Sequence, residues 1–311
     1  VHGYADSRQP HIAGLAHPAQ RRVPARVLTG SLGAVRLLLL LLLVLPVGYG
    51  GVLLAVAVHE VLGHGLAAVL LGGSFDGFEI HWDAMGYAQT TLPADVTDSG
   101  RIFHLASGAL VTTLAGALLL WSTRLARKGG LIYLVPCLLS CVFVLDGSEY
   151  MFWSAYGMTG HGDFARIVRL TDSEAWRWFF MLAGAFLTLL FLWWPMSLFT
   201  RGANQWLWGR QPAGGSRRLL VPLGIGLGLA LGMTAFDWNQ LVPGLGDTPT
   251  VAGVILGLVT VVLLWMVSGA RDEETELVPV RIVIPHVLTT WCAFALLLWL
   301  MVATMRTGMI F

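Results

Sequence analysis

Apolar residues fill this chain in long runs, and the few polar residues inside those runs carry most of the information. About 20 apolar residues match the roughly 30 Å hydrocarbon core of a bilayer. From Leu37 to Leu71 almost every position is apolar, a stretch of 35 residues. As one helix it would be about 52 Å long at ~1.5 Å per residue, too long for one crossing. Pro46, Gly48, Gly50 and Gly51 interrupt it. The pattern therefore predicts a first span ending near Pro46–Gly51 and a second from Gly51 to Leu71. Further spans are expected over residues 103–123, 131–153, 176–199, 219–236, 251–269 and 282–305. The expected fold class is an all-α polytopic membrane protein with about 7–8 transmembrane helices.

The pattern changes over residues 72–101, where short alternating stretches are punctuated by glycine. That predicts a small β-hairpin at about 74–92, on the membrane surface between the second and third spans. A free strand edge there could pair with an extended peptide. Residues 1–30 are polar and basic and read as a flexible tail. Residues 31–200 read as a core unit, and 201–311 as C-terminal transmembrane helices of unassigned role.

Composition agrees with a membrane protein. The 311 residues are 56% hydrophobic and 12% charged, against about 25% charged in a soluble domain. Mean hydropathy is +0.72. A net charge of +1 leaves no basic field for a nucleic-acid partner. Lys128 is the single lysine among 19 basic residues. With heavy Ala, Gly, Leu and Trp usage, this points to a GC-rich bacterial genome and a bacterial cell membrane. Cys137, Cys141 and Cys292 all lie in apolar runs and read as small buried side chains rather than disulfides. Trp153, Trp176, Trp178, Trp193 and Trp194 near span ends read as interface anchors. The glycines around Gly224–Gly232 read as close helix packing.

Basic residues bear on sidedness. The Arg124–Lys128 and Arg201–Arg218 loops are basic, while 73–100 and 237–247 are acidic. The positive-inside rule places the basic loops in the cytoplasm. The basic N-terminal residues would join them only after an odd number of crossings before residue 73, whereas the pattern predicts two.

The chemistry sits in Val58-His-Glu-Val-Leu-Gly-His-Gly-Leu-Ala67, inside the second predicted span. Two imidazoles and a carboxylate are expensive at membrane depth and mark a functional site. They are also what a zinc-activated water needs: two nitrogen ligands, His59 and His64, and an adjacent general base, Glu60. The common zincin spacing is His-Glu-x-x-His, with histidines at i and i+4 on one helix face. Here they are at i and i+5, about 140° apart on a regular α-helix. A π-bulge would return them to one face, and Gly63 and Gly65 make the distortion cheap. Dipeptidyl peptidase III carries a similar His-Glu-Leu-Leu-Gly-His motif.

A wider stretch resembles the site-2 protease family of intramembrane zinc metalloproteases, in its compact bacterial branch. His59–Gly73 resembles that family's zinc helix running into Gly-Gly and a β-hairpin. Ser107-Gly108-Ala109 resembles the small-residue start of its next span. Gly162-Asp-Phe-Ala-Arg-Ile-Val-Arg-Leu-Thr171 resembles the segment that supplies its aspartate ligand. The resemblance covers roughly residues 50–175 and implies Zn2+, with Asp163 as third ligand and an open fourth position. Val144-Leu-Asp-Gly-Ser-Glu-Tyr150 contains Leu-Asp-Gly, another spelling of the aspartate motif, so Asp146 is the alternative third ligand. Asp163 is favoured because the residues after it match better. The other carboxylate would then orient a ligand imidazole. His104 and His161 are further candidate ligands, although an interfacial histidine is the commoner case; His81 and His286 are weaker candidates.

The expected function is an intramembrane zinc endopeptidase, with a zinc-bound water activated by Glu60. Its partners are the lipid bilayer and a transmembrane protein substrate. Two alternatives stay open at this point: a zinc hydrolase of lipid amides or esters, and a non-enzymatic metal-binding scaffold or transporter.

Overall fold

The first apolar run folds as one continuous helical rod. In a computed structural model describing residues 30–80, 86–125, 131–156, 162–208 and 284–307, helix α1 (Gly30–Ala57) runs without a break into a π-helical segment, Val58–Gly65. That segment passes directly into α2 (Leu66–Leu70). The apolar part, Val35–Leu70, is 36 residues long. The break expected at Pro46–Gly51 is absent, and the two predicted spans are one helix.

Packing from distant segments explains the correction. Pro46 has no N–H, so the carbonyl of Leu42 loses its helical donor. The indole Nε1–H of Trp291 donates to that carbonyl at 2.9 Å, which satisfies it where no water is at hand. Gly50 lies under the Phe294 ring and Gly51 under Leu139. The missing side chains admit neighbours instead of allowing a turn. One rod in place of two also removes the sidedness conflict: on an alternating path, the chain then enters α1 on the same side as the basic 124–128 loop.

At the far end of the rod the chain turns at Gly72, whose φ of +82° suits glycine. Strands β1 (Ser74–Ile80) and β2 (Gly86–Thr91) form an antiparallel pair, with Ser74 opposite Thr91 and Ile80 opposite Gly86. Asp76 is the extra residue of a bulge between Phe75 and Gly77. One face of the hairpin is polar: Tyr87 donates to Glu79, Gln89 to Glu79, and Thr91 to Asp76. On the other, Ile80 packs with Leu53 and Val56, and the Phe75 ring lies against Gly65. The hairpin is thus fastened to the rod just before the π-helical segment and at its last residue.

Helices α3 (Asp98–Leu125), α4 (Leu131–Tyr156), α5 (Asp163–Thr171), α6 (Glu174–Trp208) and α7 (Ile284–Thr307) complete the described fold. Four helices among the described residues are long and apolar enough to cross a membrane: Val35–Leu70, Asp98–Thr123, Tyr133–Tyr156 and Glu174–Thr200. Helix α7 adds a shorter apolar stretch, Ile284–Leu297. The spans expected at 219–236 and 251–269, the loop at 237–247, and Gly224–Gly232 lie outside the described residues.

Two apolar clusters hold the helices together. In one, Leu40 and Leu43 of α1 meet Cys137 and Cys141 of α4, Phe199 of α6 and Val287 of α7. In the other, Ala109 of α3 and Met151 of α4 meet Phe164 and Ile167 of α5 and Phe180 of α6. Cys137 and Cys141 are free and buried as expected, whereas Cys292 is free and exposed on α7.

Trp291→Phe keeps the ring contacts of α7 but orphans the Leu42 carbonyl. The expected cost is about 1 kcal/mol, read as a lower unfolding temperature in detergent. An unchanged temperature would refute the role given to that hydrogen bond.

Candidate metal centre

The i, i+5 spacing of the histidines is resolved by the backbone. Residues Val58–Gly65 form an eight-residue π-helical segment. Its hydrogen bonds link i to i+5, so residues five apart stand one above the other. The His59 and His64 ring centroids are 5.1 Å apart. Both side chains and that of Glu60 between them are buried, each residue 6% exposed.

Each imidazole is pinned through Nδ1. His59 Nδ1–H donates to Asp146 Oδ2 at 3.1 Å, and His64 Nδ1–H donates to the His104 carbonyl at 2.8 Å. These partners assign the Nδ1–H tautomer to both rings. They leave two Nε2 lone pairs, both near Asp163: its Oδ2 is 3.1 Å from His64 Nε2 and 3.8 Å from His59 Nε2. One ligand atom from each of His59, His64 and Asp163 lies within 4.8 Å of the others, a group that could hold a metal ion.

The donor chemistry fits zinc. Three acceptors converging in a buried site repel one another unless a cation lies between them. Tetrahedral zinc with ligand distances of about 2.0–2.2 Å places its ligand atoms about 3.3–3.6 Å apart, and the observed 3.1 and 3.8 Å bracket that range. In the metal-free chain a proton on Nε2 serves the same purpose. Burial alone would push the Asp163 pKa up, but the His59 and His64 imidazoles facing it, His64 within hydrogen-bond distance, outweigh burial and hold the carboxyl well below the usual carboxylate range.

Asp163 comes from outside the spanning helices, so something must hold it in place. The first N–H groups of a helix have no partner within it. Those of α5 are taken by α4. Asp163 N–H donates to the Tyr150 hydroxyl at 3.0 Å, and Phe164 and Ala165 N–H to Ser154 Oγ at 3.0 and 3.3 Å. The Tyr150 hydroxyl in turn donates to Asp163 Oδ2 at 3.0 Å. Asp146, Tyr150 and Ser154 lie four residues apart on one face of α4, a polar stripe in an apolar helix. Tyr150 and Ser154 escape motif matching, but that helical spacing is a legible signal for both.

Helix α3 closes against the site through glycine. A Cβ on Gly108 would lie 2.3 Å from His59 Cδ2 and Nε2. A Cβ on Gly63 would lie 2.4 Å from Gly108 Cα. The hairpin reaches the site too: the Ala88 N–H bonds the Glu60 carboxylate, and Thr90 Oγ1 is 3.2 Å from His104 Nε2. The structure thus brings together His59, Glu60, His64 and Asp163, with Asp146 on the far nitrogen of His59. The His104 imidazole is outside the ligand group, although its carbonyl orients His64. His286 is on α7 and outside the group, and His81 and His161 lie outside the described residues. Trp153, expected as an interface anchor, donates its indole N–H to Glu149 at 3.2 Å.

The family model for Peptidase M50B-like proteins matches residues 32–206, more than half of the chain, and takes in every residue of this centre. The chain belongs to the Peptidase M50B-like family. No curated protein and no solved structure matched it. Membership indicates a protease, and with four helices of membrane-spanning length it makes this M50B-like chain an integral membrane protein.

Gly108→Ala drives a methyl group into His59 Nε2, so bound metal per protein, measured by plasma emission spectroscopy, should fall at least about tenfold. Undiminished metal would show that Nε2 is not a ligand. Tyr150→Phe removes the hydroxyl holding Asp163 and should weaken metal affinity about 10–100-fold. Because the ion displaces protons from the cluster, affinity in both proteins should fall as pH is lowered. Titration calorimetry in buffers of different ionisation enthalpy measures the released protons; none released would contradict the assignment.

Proposed function

We propose that the protein is an intramembrane zinc endopeptidase that cleaves transmembrane segments of other membrane proteins. The observation that carries this reading is the convergence of two tautomer-fixed Nε2 lone pairs and one carboxylate oxygen, with a second carboxylate, Glu60, adjacent on the same helix. An N2O donor set with a neighbouring general base favours hydrolysis over a structural metal role, because structural zinc sites are closed by four protein ligands. Zinc held by His59, His64 and Asp163 would supply Lewis acidity and acidify its water.

The chain's own residues do the rest. Glu60 takes the proton of the attacking water and returns it to the leaving amine. Its burial and the Ala88 N–H hold the carboxylate in place. Asp146 and the His104 carbonyl keep both imidazoles in the ligating tautomer, and Tyr150 fixes Asp163. Family membership separates the peptidase from a lipid hydrolase with the same metal chemistry.

A transmembrane helix has its amides already hydrogen-bonded, so it must unwind before its carbonyl can be attacked. The hairpin offers the unwound segment a strand edge to pair with, and β2 lies against the Glu60 carboxylate. In this reading residues 31–200 are the catalytic unit, set in the lipid bilayer.

Glu60→Gln should retain zinc and lose about 10²–10⁴-fold in turnover. Co-expression with a panel of single-span reporter proteins tests this: uncut reporter should accumulate only with the variant. Equal cleavage by wild type and Glu60→Gln would overturn the mechanism. A zinc-free wild type would overturn the function.

A further inference from the structure

Helix α5 turns its apolar side chains inward, with Phe164, Ala165, Ile167 and Val168 buried. Arg166 and Arg169 are exposed. Arg166 stands one turn after Asp163. Arg177 pairs with Glu174 at 3.0 Å, whereas Arg166 has no carboxylate partner among the described residues. The Arg166 guanidinium instead shares a face of α5, at i+3, with Asp163.

The Asp163 carboxylate marks the centre, 3.1 Å from His64 Nε2, and the His104 ring, 5.2 Å from that of His64, faces the Thr90 hydroxyl of β2. An extended segment laid between β2 and the centre would pass His104 and approach the face of α5 that bears Asp163 and Arg166. An unpaired guanidinium in such a place is a ready receptor for a carboxylate, which it grips with two parallel N–H bonds. Its place one turn from Asp163 favours a group on the bound segment over a lipid headgroup at the bundle's outer rim.

We infer that Arg166 is a specificity residue, selecting segments with an Asp or Glu side chain within a few residues of the scissile peptide. The inference rests on the proteolytic reading. A single-span Leu/Ala probe with one Gly-Pro break tests it, with one position set to Asp, Gln or Lys and scanned over the residues flanking the break. The zinc-loaded protein is assayed in zwitterionic vesicles and again with anionic lipid added.

In at least one register, wild type should cleave the Asp probe about fivefold faster than the Lys probe, the scale of one partly exposed charge pair. Arg166→Gln should abolish the ratio while cleaving the Gln probe as wild type does. Arg166→Glu should invert it, with zinc content unchanged. A ratio that survives Arg166→Gln, or an Arg166 effect that follows anionic lipid instead of probe charge, overturns the inference alone. A wild type that cleaves no probe in any register overturns the proteolytic reading and this inference with it.

Discussion

The candidate metal centre depends on the π-helical turn between His59 and His64. With α-helical bonding those side chains would diverge by about 140°; with π-helical bonding they stack. Such a turn needs outside support, because π-bonding is rare and appears mostly as single-turn bulges within α-helices. Here its neighbours hold it in place. Gly63 lets α3 approach to backbone contact, Phe75 of the hairpin packs on Gly65, and both imidazoles are tied at Nδ1 to other helices. The hairpin, α3 and α4 therefore all contribute to the geometry of one turn.

The same economy governs the polar groups that position the helices and the site. A buried donor or acceptor costs free energy unless it is paired, and within lipid no water supplies the partner. Pro46 leaves one carbonyl open and Trp291 closes it. Three N–H groups at the start of α5 are open and two residues of α4 close them. The ionisable residues of the site follow this rule among themselves: each histidine faces a carboxylate or a carbonyl on one nitrogen and Asp163 on the other. What looks like an unaffordable cluster along the sequence is a closed network in space.

Much of this was readable from the chain. Long apolar runs marked α3, α4, α6 and α7 to within a few residues at most ends, because membrane-spanning length is a local property. Gly-Gly after a helix and alternating residues marked the hairpin for the same reason. The unbroken rod was not readable, since the indole that satisfies Leu42 is 249 residues away. Asp146 and Asp163 could not be told apart by spacing, because they approach opposite nitrogens of the same ring, a distinction that exists only in three dimensions. Tyr150 escaped because comparison with a motif asks which residue follows an aspartate. The physical question is which residues share its helix face, and by that question Asp146, Tyr150 and Ser154 stand together.

Helix α5 shows why the third donor need not lie in the membrane. Its nine residues are too few to be a stable helix alone. Its apolar face is buried against α3, α4 and α6, and its N-terminus is capped entirely by α4. Both constraints act at the end that bears Asp163, so the carboxylate is placed by a rigid neighbour and not by its own short helix. The opposite face carries the exposed Arg166. A helix held this way has one side committed to the centre and one side open to whatever approaches it, which suits a metal site that must be fixed in its geometry and reachable from water.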